Sequence, residues 1–206
     1  DPCSNMVTYA YDQDDNLTNM TDQLGCRTSF AYDGNGNLLY ALYPDGTHNA
    51  FSWNSRGQLV ASEDTLGNVT VFTYDSSGNN LSITDPRSNT LRFAYDAIGR
   101  MTNQFDAKDA KTVYSYDLFN RVTNVVDAMS GRVRMIHGSA GLGKLTDQGT
   151  NTTQIKYNAL NLVSEIADPL GNKERFRYDL NGNLSSRIDY NSNTVSYSYD
   201  SMDRLT

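Results

Sequence analysis

The chain has 206 residues and a formal net charge of −7, from 17 Lys and Arg residues against 24 Asp and Glu residues. Only 20% of the residues are charged and 11% are aromatic, a composition that excludes the intrinsically disordered class. The acidic balance without a basic block argues against nucleic-acid binding, and no apolar run is long enough to span a membrane as a helix.

Turn-forming residues dominate the polar composition. The sequence contains 21 Asp, 22 Asn and 15 Gly, but only three Glu and five Lys. Asp, Asn and Gly favour turns, Thr and Tyr favour strands, and the helix-favouring Glu and Lys are scarce. The composition therefore predicts an all-β protein.

An aromatic residue recurs every 21 residues from Tyr11 onward. Seven of these positions read Tyr-Asp, and Trp53-Asn54 fills a gap in the series. After Tyr116 the next position is His137, and the series resumes 20 residues later at Tyr157. These positions define ten units, numbered here from 0 at the recurring residue. The unit 137–156 is one residue short, and we expect the missing residue to lie in the turn after His137, where a deletion does not invert side chains.

Each unit predicts two strands and two turns. In the strand that ends at position 0, residues alternate with period two, as where Thr70, Phe72 and Tyr74 share one face. Position 1 is usually Asp and position 4 usually Gly, which predicts a turn; Asp at position 11 predicts a second turn. The candidate turn residues are Asp12, Asp33, Asp75, Asp96, Asp117, Asp179, Asp200, Gly36, Gly57, Gly78, Gly99 and Gly182.

The aromatic side chains of successive units fall on one face of the predicted sheet. We expect them to stack as a ladder whose role is packing. Its members are Tyr11, Tyr32, Trp53, Tyr74, Tyr95, Tyr116, Tyr157, Tyr178 and Tyr199 at position 0, with Phe30, Phe51, Phe72, Phe93 and Phe176 at position 19. If the ring of Phe72 is buried, Phe72→Ala should cost about 3–5 kcal/mol.

The units predict a single array over residues 1–206, with the first and last units incomplete, as we expect for a piece of a longer protein. About twenty strands at roughly 4.8 Å each would extend about 95 Å, too far to stay flat against the natural twist of a sheet. We therefore expect a curved, spiralling antiparallel sheet whose aromatic face needs a second surface to cover it.

Three motifs carry a resemblance to a known family: Tyr-Asp-x-x-Gly-Arg-Met at 95–101, Asp-Pro-Leu-Gly-Asn at 168–172 and Phe-Arg-Tyr-Asp at 176–179. They resemble the YD repeat of the RHS (rearrangement hotspot) family, and the resemblance extends over essentially the whole chain. It implies that the hairpins form part of a hollow shell. In bacterial members such a shell encloses a C-terminal toxin, and in animal teneurins a similar shell serves cell adhesion.

The resemblance implies a secreted or cell-surface structural segment, bacterial in preference to eukaryotic. Its partners would be the rest of a larger RHS chain and the polypeptide enclosed by it. Two alternatives remain open: an adhesion or carbohydrate-binding module that contacts glycans or a cell-surface protein, and an extracellular scaffold that associates through unprotected sheet edges.

The sequence also contains motifs that partly match catalytic or metal-binding sites. Residues 138–144 match the first seven positions of a phosphate-binding loop, but Leu145 replaces the required Ser or Thr, so we expect a Gly-rich turn. The triplets that begin at Asp12, Asp33 and Asp179 resemble the front of a calcium loop but lack its later Gly and Glu. We expect no cofactor, no metal site and no enzymatic activity.

The His and Cys residues are few. His137 occupies a position that is otherwise aromatic and His48 lies in a predicted strand, so we expect structural roles for both. Cys3 and Cys26 fall near corresponding turns of adjacent units, about two strand spacings apart, which is beyond the usual reach of a disulfide unless the turns curl together. A bridge between them remains open.

Overall fold

The computed structural model describes residues 6–206, and their regular structure consists of β-strands. The prediction of an all-β array of hairpins is confirmed. The chain falls into two compact units, Asp1–Asp109 and Ala110–Thr206. The single array over residues 1–206 stays a prediction. The described residues contain no helix suited to crossing a membrane.

The first unit contains ten strands that pair consecutively and antiparallel. They are β1 (Thr8–Tyr11), β2 (Leu17–Thr21), β3 (Arg27–Tyr32), β4 (Leu38–Leu42), β5 (His48–Trp53), β6 (Leu59–Glu63), β7 (Val69–Tyr74), β8 (Asn80–Thr84), β9 (Thr90–Tyr95) and β10 (Met101–Phe105).

The second unit contains nine strands with the same consecutive antiparallel pairing. They are β11 (Lys111–Tyr116), β12 (Val122–Val126), β13 (Arg132–His137), β14 (Leu142–Thr146), β15 (Thr152–Tyr157), β16 (Val163–Ala167), β17 (Lys173–Tyr178), β18 (Leu184–Ile188) and β19 (Thr194–Ser196).

A β-bulge follows the turn of each hairpin. Between β7 and β8, Tyr74 pairs with Asn80 and Thr73 pairs with Ser82, so Leu81 has no residue opposite. The same register shift recurs beside position 0 in every hairpin that begins with a six-residue strand. The extra residue lies on the return strand, and the bulge increases the local twist there.

The hairpins form a single layer within each unit. Along β7 the side chains alternate between exposed and half-buried, and the half-buried ones are Thr70, Phe72 and Tyr74, as the period-two pattern requires. Among the described residues Ala41 is the one apolar side chain that is buried, at 3% exposure. Each of the two compact units is therefore stabilised internally by the hydrogen bonds between its strands and by one half-buried aromatic face, rather than by an enclosed core.

Candidate functional site: the aromatic ladder and the turns

Seven of the ten position 0 rings bond the backbone of the preceding hairpin. The Tyr74 hydroxyl donates to the Leu59 carbonyl at 2.8 Å, and the Trp53 indole Nε1–H donates to the Leu38 carbonyl at 2.8 Å. The acceptor is always 15 residues earlier, as it is for the rings of Tyr32, Tyr157, Tyr178 and Tyr199 at 3.0, 3.2, 2.8 and 3.2 Å. The ring therefore joins one hairpin to the hairpin before it.

The acceptor carbonyl is available because the strand ladder stops short of it. The pairing of β4 with β5 ends at Tyr40 and Ala50, so the Leu38 carbonyl lies beyond the last paired residue. A half-buried carbonyl without a partner costs free energy, and the ring from the next hairpin removes that cost. The sequence predicted packing alone for these rings, and their hydrogen bond was not predicted.

His137 performs the same role in place of a tyrosine. Its Nε2 lies 2.7 Å from the Val122 carbonyl, again 15 residues earlier. Because a carbonyl only accepts, this contact assigns the proton to Nε2. The imidazole is thus a structural donor, which agrees with its place in the repeat.

Tyr74→Phe tests this bond. The substitution keeps the ring and removes the donor to the Leu59 carbonyl, so we expect the free energy of unfolding to fall by about 1 kcal/mol in urea denaturation. The matched control is Tyr9→Phe, because Tyr9 is 56% exposed and should lose almost nothing. Equal effects of the two substitutions would contradict a role for the hydroxyl.

The Phe side chains at position 19 lie on the same face as the rings. Phe30, Phe51, Phe72, Phe93 and Phe176 are each half-buried, two residues before the position 0 ring of the same strand. The single layer explains why none of them is fully enclosed.

Phe72→Ala should accordingly cost less than a fully buried ring would. We expect about 2 kcal/mol, below the 3–5 kcal/mol anticipated for a buried phenylalanine, because part of the ring remains in water in the folded chain. Urea denaturation of Phe72→Ala beside Val71→Ala, an exposed neighbour, checks this value. A loss below about 1 kcal/mol would contradict a packing role for the aromatic face.

The two turns of a unit have the same five-residue geometry. After position 0, the Asp33 amide donates to the Asn37 carbonyl at 2.9 Å and the Gly36 amide to the Asp33 carbonyl at 3.1 Å; the turns that begin at Asp22 and Asp64 repeat both bonds. The fourth residue of each of these turns has a positive φ, for example +81° at Gly36, which glycine adopts without strain. Asn120 and Asn161 adopt it in units that lack the glycine.

An Asp carboxylate organises most of the turns, and Asn takes its place at Asn54 and Asn158. One oxygen of Asp33 accepts from the amides of Asn35 and Asn37 at 2.9 Å each, and the other accepts from the Asn37 side chain at 2.9 Å. The Asn37 side-chain bond is the main reason that the pKa of Asp33 lies below its usual value. These carboxylates are therefore satisfied by their own turns, and they are arranged for local structure rather than for acid catalysis.

The short unit has its deletion in the predicted turn. The Gly138 amide donates to the Gly141 carbonyl at 2.8 Å, three residues on, where the other turns connect residues four apart. Residues 142–146 then form β14, so the phosphate-loop-like stretch is a turn followed by a strand. The prediction that a turn absorbs the missing residue is confirmed.

Gly141 cannot take a side chain without displacing a ladder ring. Its φ is +150°, and a β-carbon there would lie 2.7 Å from the Tyr157 hydroxyl oxygen. We expect Gly141→Ala to lower the free energy of unfolding by about 2 kcal/mol. Gly138→Ala is the matched control in the same turn, because its nearest contact would be 3.9 Å away. Thermal melts of both variants check the difference, and equal losses would contradict the close approach.

The remaining candidate sites have local structural partners. Asp12 bonds the amides of Asp14 and Asn16 at 3.0 and 2.9 Å, and residues 6–206 contain no group of three His, Cys, Asp or Glu side chains placed to bind a metal. His48 stacks on Tyr40, with ring centroids 4.8 Å apart. Cys26 is exposed. A bridge to Cys3 cannot be described, because Cys3 lies outside the described residues.

Comparison with protein families matches both units. Residues 3–140 match the model described as Teneurin YD-shell, and residues 157–189 and 178–206 match the RHS repeat. No curated protein matches the sequence.

Solved structures with the same fold belong to much longer chains. TcdB2-TccC3 without its hypervariable C-terminal region has a TM-score of 0.73 at 17% identity, covering 97% of this chain and 12% of its own. TcdB2-TccC3-Cdc42 has a TM-score of 0.56 at 15% identity, covering 98% of this chain and 15% of its own. The present chain thus spans roughly an eighth of the lengths of these proteins, and at these identities the likeness concerns the fold.

Proposed function

The chain belongs to the Teneurin YD-shell family, and from that premise we propose that its hairpins form part of the wall of a shell that encloses a polypeptide. In this proposal the strip of hairpins curves and spirals as it joins the rest of a larger RHS chain. The wall is structural and catalyses no reaction.

The bond from seven of the ten position 0 rings to the preceding hairpin carries this proposal. A wall one layer thick has no core to hold it together, so its neighbours need lateral connections that repeat in phase. The rings provide such connections at a constant separation of 15 residues, as from Tyr178 to Val163. In this proposal the ladder residues connect neighbouring hairpins, and the Asp and Gly residues of the turns determine where the chain reverses between strands.

Hydrogen bonds between turns also connect neighbouring hairpins. The Gln58 side chain donates to the Gly78 carbonyl at 3.0 Å, and Arg56 donates to the Ser76 carbonyl at 2.6 Å, so one turn is bonded to the corresponding turn of the next hairpin. Bonds of this kind at the rim of the sheet resist separation of neighbouring hairpins, which a container requires.

The enclosed partner is proposed to be a polypeptide, such as a C-terminal toxin. The support is by analogy, since one protein of the same fold is described as lacking a hypervariable C-terminal region. A secreted or cell-surface location goes with this proposal.

Limited proteolysis of the intact parent protein tests enclosure. We expect intact-mass analysis to show a segment that resists protease in the native protein and is cut after mild denaturation. A parent protein that lacks Val71 is the matched control, because disruption of β7 should open the wall and expose the same segment without denaturant. A parent protein with no protected segment would contradict enclosure.

Loss of the enclosure proposal would favour one of the other two functions. A glycan array then tests the adhesion or carbohydrate-binding alternative, because a shell wall should bind no glycan selectively. Sedimentation at increasing concentration tests the scaffold alternative, in which free sheet edges pair between chains.

A further inference from the structure

The basic residues of this acidic chain are concentrated in its second half. Residues 1–109 contain six Lys and Arg against fourteen Asp and Glu, whereas residues 110–206 contain eleven against ten. The net charge of −7 therefore combines a strongly acidic first unit with a nearly balanced second unit. The distribution of charge between the two sheet faces of the second unit is more unequal still.

The side of β13–β17 that is opposite the rings is called the basic face. The acidic turn residues lie at the strand ends, and on the face itself alternate positions of the strands are basic. Seven cations and one carboxylate belong to it: Arg132, Arg134, Lys144, Lys156, Lys173, Arg175, Arg177 and Glu165. All of the cations except the half-buried Lys144 are on exposed residues.

Glu165 lies within a group of three cations on the basic face. Its carboxylate oxygens lie 3.0 Å from Lys156 Nζ, 3.6 Å from Lys173 Nζ and 3.1 Å from Arg175 Nε. Hydrogen bonds from Lys156 and Arg175 lower the pKa of Glu165 to about 2, so the carboxylate stays charged at neutral pH. Three cations around one anion leave two positive charges in excess.

The other four cations of the basic face lack an anionic partner. Arg132, Arg134, Lys144 and Arg177 form no ion pair with any residue in the described range 6–206. An array of like charges on a sheet raises its own electrostatic energy, and a polyanion that lies across it relieves that repulsion. The basic face is therefore suited to a negatively charged partner.

The spacing and the chemistry of the face favour a polypeptide as that partner. Cations at every second residue, as in Lys173, Arg175 and Arg177, repeat at about 6.7 Å, the spacing of alternate side chains in an extended peptide. The positions of the basic face include no aromatic residue, whereas single-stranded nucleic acids and sugars are commonly held by aromatic stacking. The exposed Ile136 offers an aliphatic contact between the charges.

We propose that the basic face binds an extended acidic polypeptide segment in which Asp or Glu occupies alternate positions. The carboxylates pair with the cations of β13 and β17, and Glu165 holds the central cations in place. This binding does not depend on enclosure, and the segment can belong to the same protein or to another.

Fluorescence anisotropy of a short labelled peptide in which Glu alternates with Thr tests the proposal with the full chain. We expect binding at about 20 mM salt that weakens strongly by about 150 mM, because salt screens exposed charges. The variant Arg132→Glu, Arg134→Glu, Arg177→Glu should bind at least about tenfold more weakly. These three side chains form no described ion pair, and the neutral variant with Gln at the same positions should give a smaller loss in the same direction.

The matched control is Arg27→Glu, Arg87→Glu, Lys108→Glu, which changes the net charge equally at exposed positions of the first unit. It should keep most of the affinity, and circular dichroism should show the same β content in all variants. Equal losses in the two triple variants, or no binding of the peptide at low salt, would overturn the proposal. Tighter binding of single-stranded DNA, heparin or anionic vesicles than of the peptide would overturn it too.

Discussion

Deletion of Val71 from the middle of β7 is expected to lower the free energy of unfolding of the first unit severely. Side chains alternate between faces along a strand, so a one-residue deletion inverts every side chain on one side of the gap relative to the other. Phe72 and Tyr74 could then keep their face only if Thr70 and the residues before it moved to the opposite one. The Val71 side chain is 41% exposed, so the deletion acts through register rather than through lost packing.

Denaturation in urea measures this effect, with a loss of about 3 kcal/mol or more expected. Two controls isolate the register. Val71→Ala should cost less than about 1 kcal/mol, because it removes only exposed methyl groups. Replacement of the five residues 75–79 by Gly-Ser-Ala-Gly, the sequence of the short turn 138–141, should be tolerated, since it removes one residue outside a strand. A deletion of Val71 as mild as this turn replacement would disprove the register argument.

Acidification from pH 5 to pH 2 is expected to destabilise the protein steeply. Thirteen Asp residues and Glu165 have pKa values below their usual values, mostly because turn amides and neighbouring side chains hydrogen-bond the charged form; the Asp residues are Asp12, Asp33, Asp45, Asp64, Asp75, Asp85, Asp96, Asp117, Asp147, Asp168, Asp179, Asp189 and Asp200. Near pH 4 and below, the unfolded chain therefore binds more protons than the folded chain.

The sign of the effect follows from this difference in bound protons. The stability contributed by the Asp residues is complete above the unfolded pKa, near 3.8, and is lost as the pH falls through the lower folded values. Denaturant midpoints measured at pH 7, 5, 3 and 2 should fall between pH 5 and pH 2 and change little between pH 7 and 5. A flat profile over the acid range would contradict the role assigned to the turn carboxylates.

Substitution of turn carboxylates by amides supplies the control for the acid prediction. Asn54 already stands at position 1 in one unit, where its side-chain oxygen accepts from the amides of Arg56 and Gln58 at 2.9 and 3.1 Å. The variant Asp33→Asn, Asp75→Asn, Asp179→Asn should therefore fold at pH 7 and lose less stability on acidification than the parent. An unchanged acid slope would show that other carboxylates dominate.

The sequence predicts the strands and turns well because the same spacing recurs in every repeat, so substitutions in single repeats do not hide the pattern. Ten copies of the same spacing identify position 0 and both reversals, and the short turn after His137 follows from the spacing of Asp147 and Tyr157. The bond from the ring to the earlier carbonyl was missed, although a signal existed. Position 0 holds Tyr, Trp or His and never Phe, while position 19 accepts Phe freely, so the first position requires a donor and the second does not.

The charge of the second unit was harder to read from the sequence. The net charge sums the negative Asp residues of the turns and the positive Lys and Arg residues of the strands. In the folded chain the Asp residues lie at the strand ends and the Lys and Arg residues lie on a sheet face. Lys156, Lys173 and Arg175 are separated in the sequence by a turn and a strand, and the register of β15, β16 and β17 brings them around Glu165. Pairing between strands, rather than composition, creates the basic face.

The bonds from the rings give the strip of hairpins a direction. The ring bonds run toward the N-terminus, as from Tyr178 back to Val163 and from Tyr157 back to Leu142, so in each of them the acceptor is synthesised before the donor. Chains are made from the N-terminus, and a hairpin leaving the ribosome therefore meets an edge that is already complete. The hairpins can therefore dock one at a time in the order of their synthesis, before the C-terminal hairpins have been made.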